Sequence, residues 1–168
     1  AIYKLLGGYG DGTFRPDASI TRAEFCAMLG NVLAMNAAPI AQSRFSDVDA
    51  GAWYAPIVHA MQDGGLLGGY GDGTFRPDNQ ITREQLATIL YRYEGGEERD
   101  SNSQMGELSK AFPDEAAVSS YARIPLTWAI EQGLINGVHT EGISYLKPQG
   151  SATRAQAATI LCRWLNQS

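Results

Sequence analysis

The sequence is poor in the side chains that most chemistry needs. It holds two histidines, His59 and His139, and two cysteines, Cys26 and Cys162. No Cys-x-x-Cys pair occurs, which removes zinc-ribbon and thioredoxin-like readings. Each cysteine follows a Thr-Arg-Ala tripeptide inside an apolar helical pattern and reads as a small packing residue rather than half of a disulfide. Lys and Arg number 13 against 18 Asp and Glu, a net charge of −5, so the basic footprint of a nucleic-acid binder is missing. No apolar run approaches the roughly 18 residues of a membrane span. There is no initiating Met and no visible signal peptide, so the chain reads as a mature or excised piece. Apolar residues make up 44% of the composition, enough to build a core and too many for disorder.

What the sequence does have is repetition. The stretch "GYGDGTFRPD" stands at Gly8–Asp17 and again at Gly69–Asp78, ten matching residues 61 positions apart. The fullest copy runs from Phe45 to Glu94. A shorter one joins halfway through, at Leu5, and a looser one runs from Phe112 to Leu165. The boundaries are repeat 1 at 1–36 without its first half, repeat 2 at 37–94, a polar connector at 95–111 and a divergent repeat 3 at 112–168. The connector is glycine-rich and without aromatics, and is expected to be solvated and mobile.

Each full copy reads as helix, loop, helix. In repeat 2, Trp53, Ile57, Ala60 and Met61 have helical spacing, and Gly64 and Gly65 form a stop signal. After the loop, Thr82 and Gln85 have the spacing of a capping box, as do Thr21 with Glu24 and Thr153 with Gln156. Behind each Thr follows an apolar stripe: Phe25, Met28, Leu29, Val32; then Leu86, Ile89, Leu90, Tyr93; then Ala157, Ile160, Leu161, Trp164. Three such stripes can bury one another. The expected fold is mainly α, tandem helix-loop-helix repeats packed as a pseudo-threefold bundle of central helices, with a solenoid as the other arrangement the pattern permits.

The repeated loop invites a calcium reading, which the register rejects. An EF-hand counted from Asp11 would place Thr13 and Arg15 at its third and fifth positions and Arg22 where a bidentate Glu is needed. No Gly-Lys-Ser/Thr follows to make a phosphate loop. Glycines here permit positive φ, Asp11 can close an Asx turn, and Phe14 can plug the turn into the core. The histidines hold no consistent place in the repeat and have no recurrent Ser, Cys or ligand partner, so neither catalysis nor a resident metal or cofactor is expected.

The ordered elements "FSDV…WY…GLLGGYGDGTFRPDNQITREQ", "GYGDGTFRPDASITRAE" and "FPD…AIEQGLING…KPQGSATRAQ" resemble the surface-layer homology motif across nearly the whole chain. The resemblance implies three copies in a pseudo-trimer, with grooves between neighbours. It also implies a place outside the cell, on the bacterial surface and cell wall, where such domains anchor exported proteins to secondary cell-wall polysaccharide bearing pyruvylated N-acetylmannosamine. By motif, the implied binding residues are Arg22, Arg83 and Arg154, the Gly-Tyr turns Gly8-Tyr9 and Gly69-Tyr70, the aspartates Asp47 and Asp114, and Trp53. Repeat 3 departs from the pattern: Gly137-Val138 replaces Gly-Tyr, Ser120 stands in the place of Trp53, and "VHTEGISYLKPQ" replaces the glycine-rich loop.

The chemistry is compatible with that implication. A guanidinium fork matches a carboxylate, and a helix N-terminus offers unsatisfied N–H groups to an anion. The competing role for each Arg is a pair with a nearby acid, which at a surface is worth little. Trp53 has two possible roles, a flat platform for a sugar ring or a core residue at the start of a helix. Tyr54 reads as structural. The rival function is a structural or protein-interaction module, in which self-association completes repeat 1. A glycan hydrolase has least support.

Overall fold

The computed structural model describes residues 8–96 and 112–167, so the connector read at 95–111 and the start of repeat 1 lie almost wholly outside the described residues. The elements are α1 (Arg22–Val32), α2 (Ala55–Asp63), α3 (Arg83–Tyr93), two single 3-10 turns (Glu115–Ala117 and Ser120–Ala122), α4 (Arg123–Glu131), a hairpin of β1 (Val138–Thr140) and β2 (Ile143–Tyr145), and α5 (Arg154–Leu165). The fold is therefore mainly α, as the repeat pattern implies. The chain divides into two compact units, one of Ala1–Ile81 with Ala152–Cys162, the other of Thr82–Ser151 with Arg163–Ser168.

The three long-stripe helices start where the capping boxes stand. The Thr21 hydroxyl accepts from the Glu24 amide, and the Glu24 carboxylate returns a bond to the Thr21 amide. Thr82 with Gln85 and Thr153 with Gln156 repeat the exchange. Each box satisfies two of the helix-start donors that would otherwise lack partners.

In the first unit, the residues before three helices close a ring. The Ile20 amide donates to the Ala152 carbonyl (3.0 Å), that of Ala152 to Ile81 (3.1 Å), and that of Ile81 to Ile20 (3.0 Å). Ile20, Ile81 and Ala152 are all buried, so these bonds are sheltered from water. The first two helical amides then reach onto another repeat's loop. Arg22 and Ala23 donate to the carbonyls of Asn79 and Pro77; Arg154 and Ala155 donate to those of Ala18 and Pro16. Around this frame α1 packs on α2, and Phe25, Met28, Leu29, Val58 and Met61 form the buried apolar set.

The loop Gly69–Asp78 is clasped by the segment Phe45–Asp47. The Asp47 carboxylate accepts from the amides of Phe75 (2.8 Å) and Arg76 (2.7 Å), and the Phe45 ring lies 5.5 Å from that of Phe75. Gly69 is required at this point, because a Cβ there would strike the Phe45 ring and the Thr74 carbonyl oxygen. Within both glycine-rich loops an Asx turn forms, Asp11 accepting from the amide and hydroxyl of Thr13, and Asp72 from those of Thr74. Arg15 and Arg76 adopt left-handed φ (52° and 57°) and return to pair with Asp11 and Asp72 at 2.7 and 2.8 Å.

In the second unit the frame recurs. The Arg83 and Glu84 amides donate to the carbonyls of Gly150 and Pro148. The carboxylate of Asp114 accepts from the amides of Leu146 and Lys147, both at 2.8 Å. The divergent loop is a β-hairpin in the register Val138↔Tyr145, His139↔Ser144, Thr140↔Ile143. Glu141 and Gly142 turn it with positive φ at both positions, the backbone of a type I′ turn. Helix α3 packs on α4, with the Tyr91 and Trp128 rings edge-on at 5.6 Å. Glu84 is buried and accepts from the Ser119 amide and hydroxyl, the Tyr121 hydroxyl and the Gln149 side chain.

Two details differ from the sequence reading. Helix α2 begins at Ala55, with Pro56 in its first turn, where the missing amide proton costs nothing. Trp53 therefore stands outside the helix at 67% exposure, and the buried residues are Ala55, Val58, His59 and Met61. Tyr93 ends α3 and is exposed, its ring edge-on to that of the buried Trp164 at 5.2 Å. The cysteines are free, Cys26 buried with its thiol pushed up to about 12 by desolvation, Cys162 half-buried.

Asp47→Ala leaves two loop amides without their acceptor and is expected to cost about 1–3 kcal/mol, measured by urea unfolding; an unchanged midpoint would refute the clasp. For Asp72, hydrogen bonds from Thr74 and then Arg76 hold the carboxyl down to about 2. A depressed carboxyl stabilises the fold above its unfolded pKa, and this contribution is lost as pH falls from about 4 towards about 2. An NMR titration should place the Asp72 midpoint near 2; a midpoint at the ordinary 3.8 would mean the pair does not persist in solution.

Candidate functional site

A groove of about 480 Å³ opens in the first unit, lined by Gly8, Tyr9, Gly10, Glu24, Ala27, Met28, Asn31, Trp53 and Arg154. Three elements build it. Helix α1 supplies a floor of Ala27 and Met28, the loop Gly8–Asp17 supplies the Gly-Tyr wall, and the start of α5 supplies the guanidinium. Trp53, held just ahead of α2 and edge-on to Tyr54 at 5.3 Å, forms the rim.

The guanidinium of Arg154 is held from several sides. Its Nε donates to the Phe14 carbonyl (2.8 Å), its Nη1 lies 3.6 Å from the Glu24 carboxylate, and its plane sits over the Tyr9 ring at 4.7 Å. The other face of the arrangement is Arg15, 4.0 Å from the same ring. Each such contact is worth roughly 0.5–2 kcal/mol, so Tyr9 is fixed by two cations, while its hydroxyl donates to Glu24 at 3.1 Å. The groove thus presents planar donors, a carboxylate, a phenol and an exposed indole within one cavity.

Arg22 repeats the geometry with one difference. Its Nε donates to the Phe75 carbonyl (2.9 Å), and it sits over the rings of Tyr70 (5.1 Å) and Phe75 (4.6 Å). Arg76 stacks on Tyr70 at 3.8 Å. Among the described residues no carboxylate comes within ion-pair distance of Arg22, although its side chain is only 6% exposed. In the second unit, Arg83 donates from Nε to the Leu146 carbonyl and from Nη2 to the Asn136 carbonyl (2.9 and 2.6 Å). Val138 stands where the tyrosines do. Burial pushes the Arg83 guanidinium below its ordinary pKa, and the Asp114 charge opposes this.

The structure therefore gathers Gly8, Tyr9, Trp53 and Arg154 into one cavity, puts Tyr70 with Arg22, and holds Arg83 on backbone. Gly69 lies under the Phe45 ring. Asp47 and Asp114 spend both carboxylate oxygens on loop amides. The helix N-termini do not offer free donors: the first two amides of α1, α3 and α5 bond to loop carbonyls, and the third bonds to the capping Thr. That overturns the expected anion seat at these ends, because the loops reach the donors first.

Several residues of the site are absent from the sequence reading. Glu24 reads there only as a cap, yet it faces Arg154 and Tyr9; the available signal was Glu at a place where the other repeats have Gln85 and Gln156. Tyr121 stands two residues ahead of α4 just as Trp53 stands two ahead of α2, so Tyr121 and not Ser120 is the counterpart. It is 51% exposed. Counting from the Phe-x-Asp segment hides this, because one residue is inserted between that segment and the helix. The buried His59 receives the Arg44 amide at Nε2, a packing role, whereas the exposed His139 pairs with Ser144 across the hairpin. Among the described residues no group of three or more His, Cys, Asp or Glu could hold a metal ion, and no helix is long and apolar enough to cross a membrane.

Comparison with known proteins agrees with the repeat architecture. A family model described as S-layer homology domain matches residues 3–26, 44–87 and 111–158. The chain is 32% identical over 98% of its length to an amylopullulanase of Thermoanaerobacterium thermosulfurigenes, of which it covers 8%. It is 31% identical over 95% of its length to a surface-layer 125 kDa protein of Lysinibacillus sphaericus, of which it covers 13%. It is 29% identical over 97% of its length to a cellulosome-anchoring protein of Acetivibrio thermocellus, of which it covers 36%. The chain thus spans well under two thirds of each of these relatives. Segments similar to this chain thus occur in proteins named as an amylopullulanase, a surface-layer protein and a cellulosome-anchoring protein. The chain belongs to the S-layer homology domain family.

Proposed function

We propose that this chain is a non-catalytic anchoring module that attaches an exported protein to the bacterial cell surface by binding secondary cell-wall polysaccharide, with pyruvylated N-acetylmannosamine as the recognised sugar. The observation that carries the reading is the joint presence of Trp53, Tyr9, Glu24 and Arg154 around one groove. An indole left 67% exposed forgoes burial on the order of 100 Å² or more, worth roughly 2–4 kcal/mol, and a sugar face laid against it recovers that energy. Hydroxyls of the sugar find an acceptor in Glu24 and donors in the Arg154 fork.

The pyruvyl carboxylate is best matched by Arg22. Arg154 already faces Glu24, which repels a second carboxylate, whereas Arg22 meets no acid among the described residues. In this reading Arg22, Tyr70 and Gly69 take the acidic sugar, and the Gly8-Tyr9, Trp53 and Arg154 groove takes a neutral neighbour. Arg83 contributes less, being tied twice to backbone. Asp47 and Asp114 serve by clasping the loops. Recurrence beside unrelated partners supports an anchoring role over an activity of the module's own.

Because Trp53 lies outside the core, Trp53→Ala is expected to weaken binding to purified wall polysaccharide about thirtyfold or more, in line with the burial it forfeits, while leaving the melting temperature unchanged. Binding equal to the parent chain would remove the indole platform. Chemical removal of pyruvate from the polymer is expected to weaken binding further, and Arg22→Gln to abolish that difference. Equal affinity for both polymers would remove the acidic-sugar specificity and leave the neutral one.

A further inference from the structure

The groove of the first unit holds two charged side chains, Arg154 and Glu24, and among the described residues the rest of its lining is uncharged. The two lie together. Arg154 Nη1 stands 3.6 Å from Glu24 Oε1, with the Arg154 side chain 6% exposed and that of Glu24 21%. Charges sheltered to this degree are screened much less than surface charges, so both act strongly on whatever enters the groove.

Glu24 performs two tasks with two atoms. Its Oε2 accepts from the Thr21 amide at 2.9 Å and completes the capping box. Its Oε1 faces the groove, where it accepts from the Tyr9 hydroxyl at 3.1 Å and meets Arg154. The first task needs no charge. Gln85 and Gln156 perform it in the other repeats, each accepting through Oε1 from the amide of its own Thr at 3.2 Å. The charge at position 24 therefore has its consequence in the groove, where it balances Arg154. Arg22 supplies the contrast. It follows its capping Thr as Arg154 does, bonds through Nε to a loop carbonyl and lies over a tyrosine, yet among the described residues no acid is within ion-pair distance.

We infer that Glu24 is the specificity-determining residue of the Trp53 groove: its charge excludes sugars that carry a carboxylate, and a glutamine in its place admits them. The inference rests on the sugar-binding reading above and adds the class of sugar this groove takes and the atom that selects it. A carboxylate placed on Arg154 Nη1 must also lie close to Glu24 Oε1, and like charges in a sheltered site repel strongly. Selection against the wrong ligand by an unfavourable charge is as effective as selection for the right one. An uncharged sugar has no such conflict, since one hydroxyl can donate to Oε1 while another accepts from the guanidinium. With glutamine at position 24, the amide oxygen keeps the cap and the amide nitrogen takes the place of Oε1. The Tyr9 hydroxyl then accepts instead of donating, and the Arg154 charge is left for a ligand to balance.

The test is an NMR titration of the isotope-labelled chain, read at the Trp53 indole N–H. This proton rims the groove and reports it separately from Arg22. The probes are the methyl glycoside of N-acetylmannosamine, the same glycoside carrying a pyruvate ketal, and sodium pyruvate. In the parent chain the neutral glycoside should give saturable shifts at millimolar concentration, and the ketal should bind about tenfold more weakly. In Glu24→Gln the ketal should bind about tenfold more tightly than it does to the parent, with the neutral glycoside little changed. Pyruvate should follow the ketal. The gain should vanish in the double variant Glu24→Gln/Arg154→Gln. Glu24→Gln should melt with the parent chain, because Gln85 and Gln156 hold the same box. An unchanged ratio of ketal to neutral affinity in Glu24→Gln would overturn the inference, as would a gain that survives the loss of Arg154. A parent chain that binds neither glycoside at Trp53 would refute the sugar-binding reading, and the pyruvate titration would still decide the role of Glu24.

Discussion

The structure depends on where the first amides of each capped helix find their acceptors. An α-helix begins with donors that its own turns cannot satisfy. Here a loop from a different repeat takes the first two, and the capping Thr takes the third. Ile20, Ile81 and Ala152 add a closed circuit of backbone bonds among the three segments that lead into these helices. Side-chain packing then follows from a frame already fixed in register. A repeat contributes its helix and at the same time the carbonyls that start another repeat's helix, so none of the loops is a mere connection.

The same economy places the arginines. Arg22, Arg83 and Arg154 follow the capping Thr, and in each case Nε bonds to a loop carbonyl, those of Phe75, Leu146 and Phe14. The guanidinium atom nearest the backbone is structural, and the far end faces Tyr70 in Arg22 and the Tyr9 groove in Arg154, whereas in Arg83 it bonds to the Asn136 carbonyl. A planar fork with separate donors can divide its work in this way; a lysine cannot. The three sites are not equivalent. Arg154 meets Glu24, Arg22 meets aromatic faces and no acid among the described residues, and Arg83 is tied to Asn136. Three copies of one motif have thus become three electrostatic environments.

Much of this was legible in the residues. The Thr boxes, the apolar stripes and the glycine stop at Gly64 and Gly65 rest on local rules of spacing, and local rules are what a sequence displays directly. Trp53 was legible as an aromatic of either role, and Pro56 decided between them by starting the helix after it. The Phe-x-Asp aspartates were not legible as clasps, because their partners are backbone amides that any sequence possesses. Nor was the tie between a helix start and a distant carbonyl, for the same reason. The pairing of Glu24 with Arg154 joins the start of α1 to the start of α5, and no spacing rule reaches that far.

The bond from Arg154 Nε to the Phe14 carbonyl joins residues 140 positions apart. Closing such a loop carries an entropy that grows only slowly with length, so the equilibrium cost is modest, but the contact cannot form early. A linear solenoid can nucleate at any neighbour pair and lengthen by one unit at a time. A circuit that runs from Ile20 to Ala152 to Ile81 and back is either shut or open. Folding of this unit should therefore wait for the segment that leads into α5, because Ala152 holds one of the three amides of the ring.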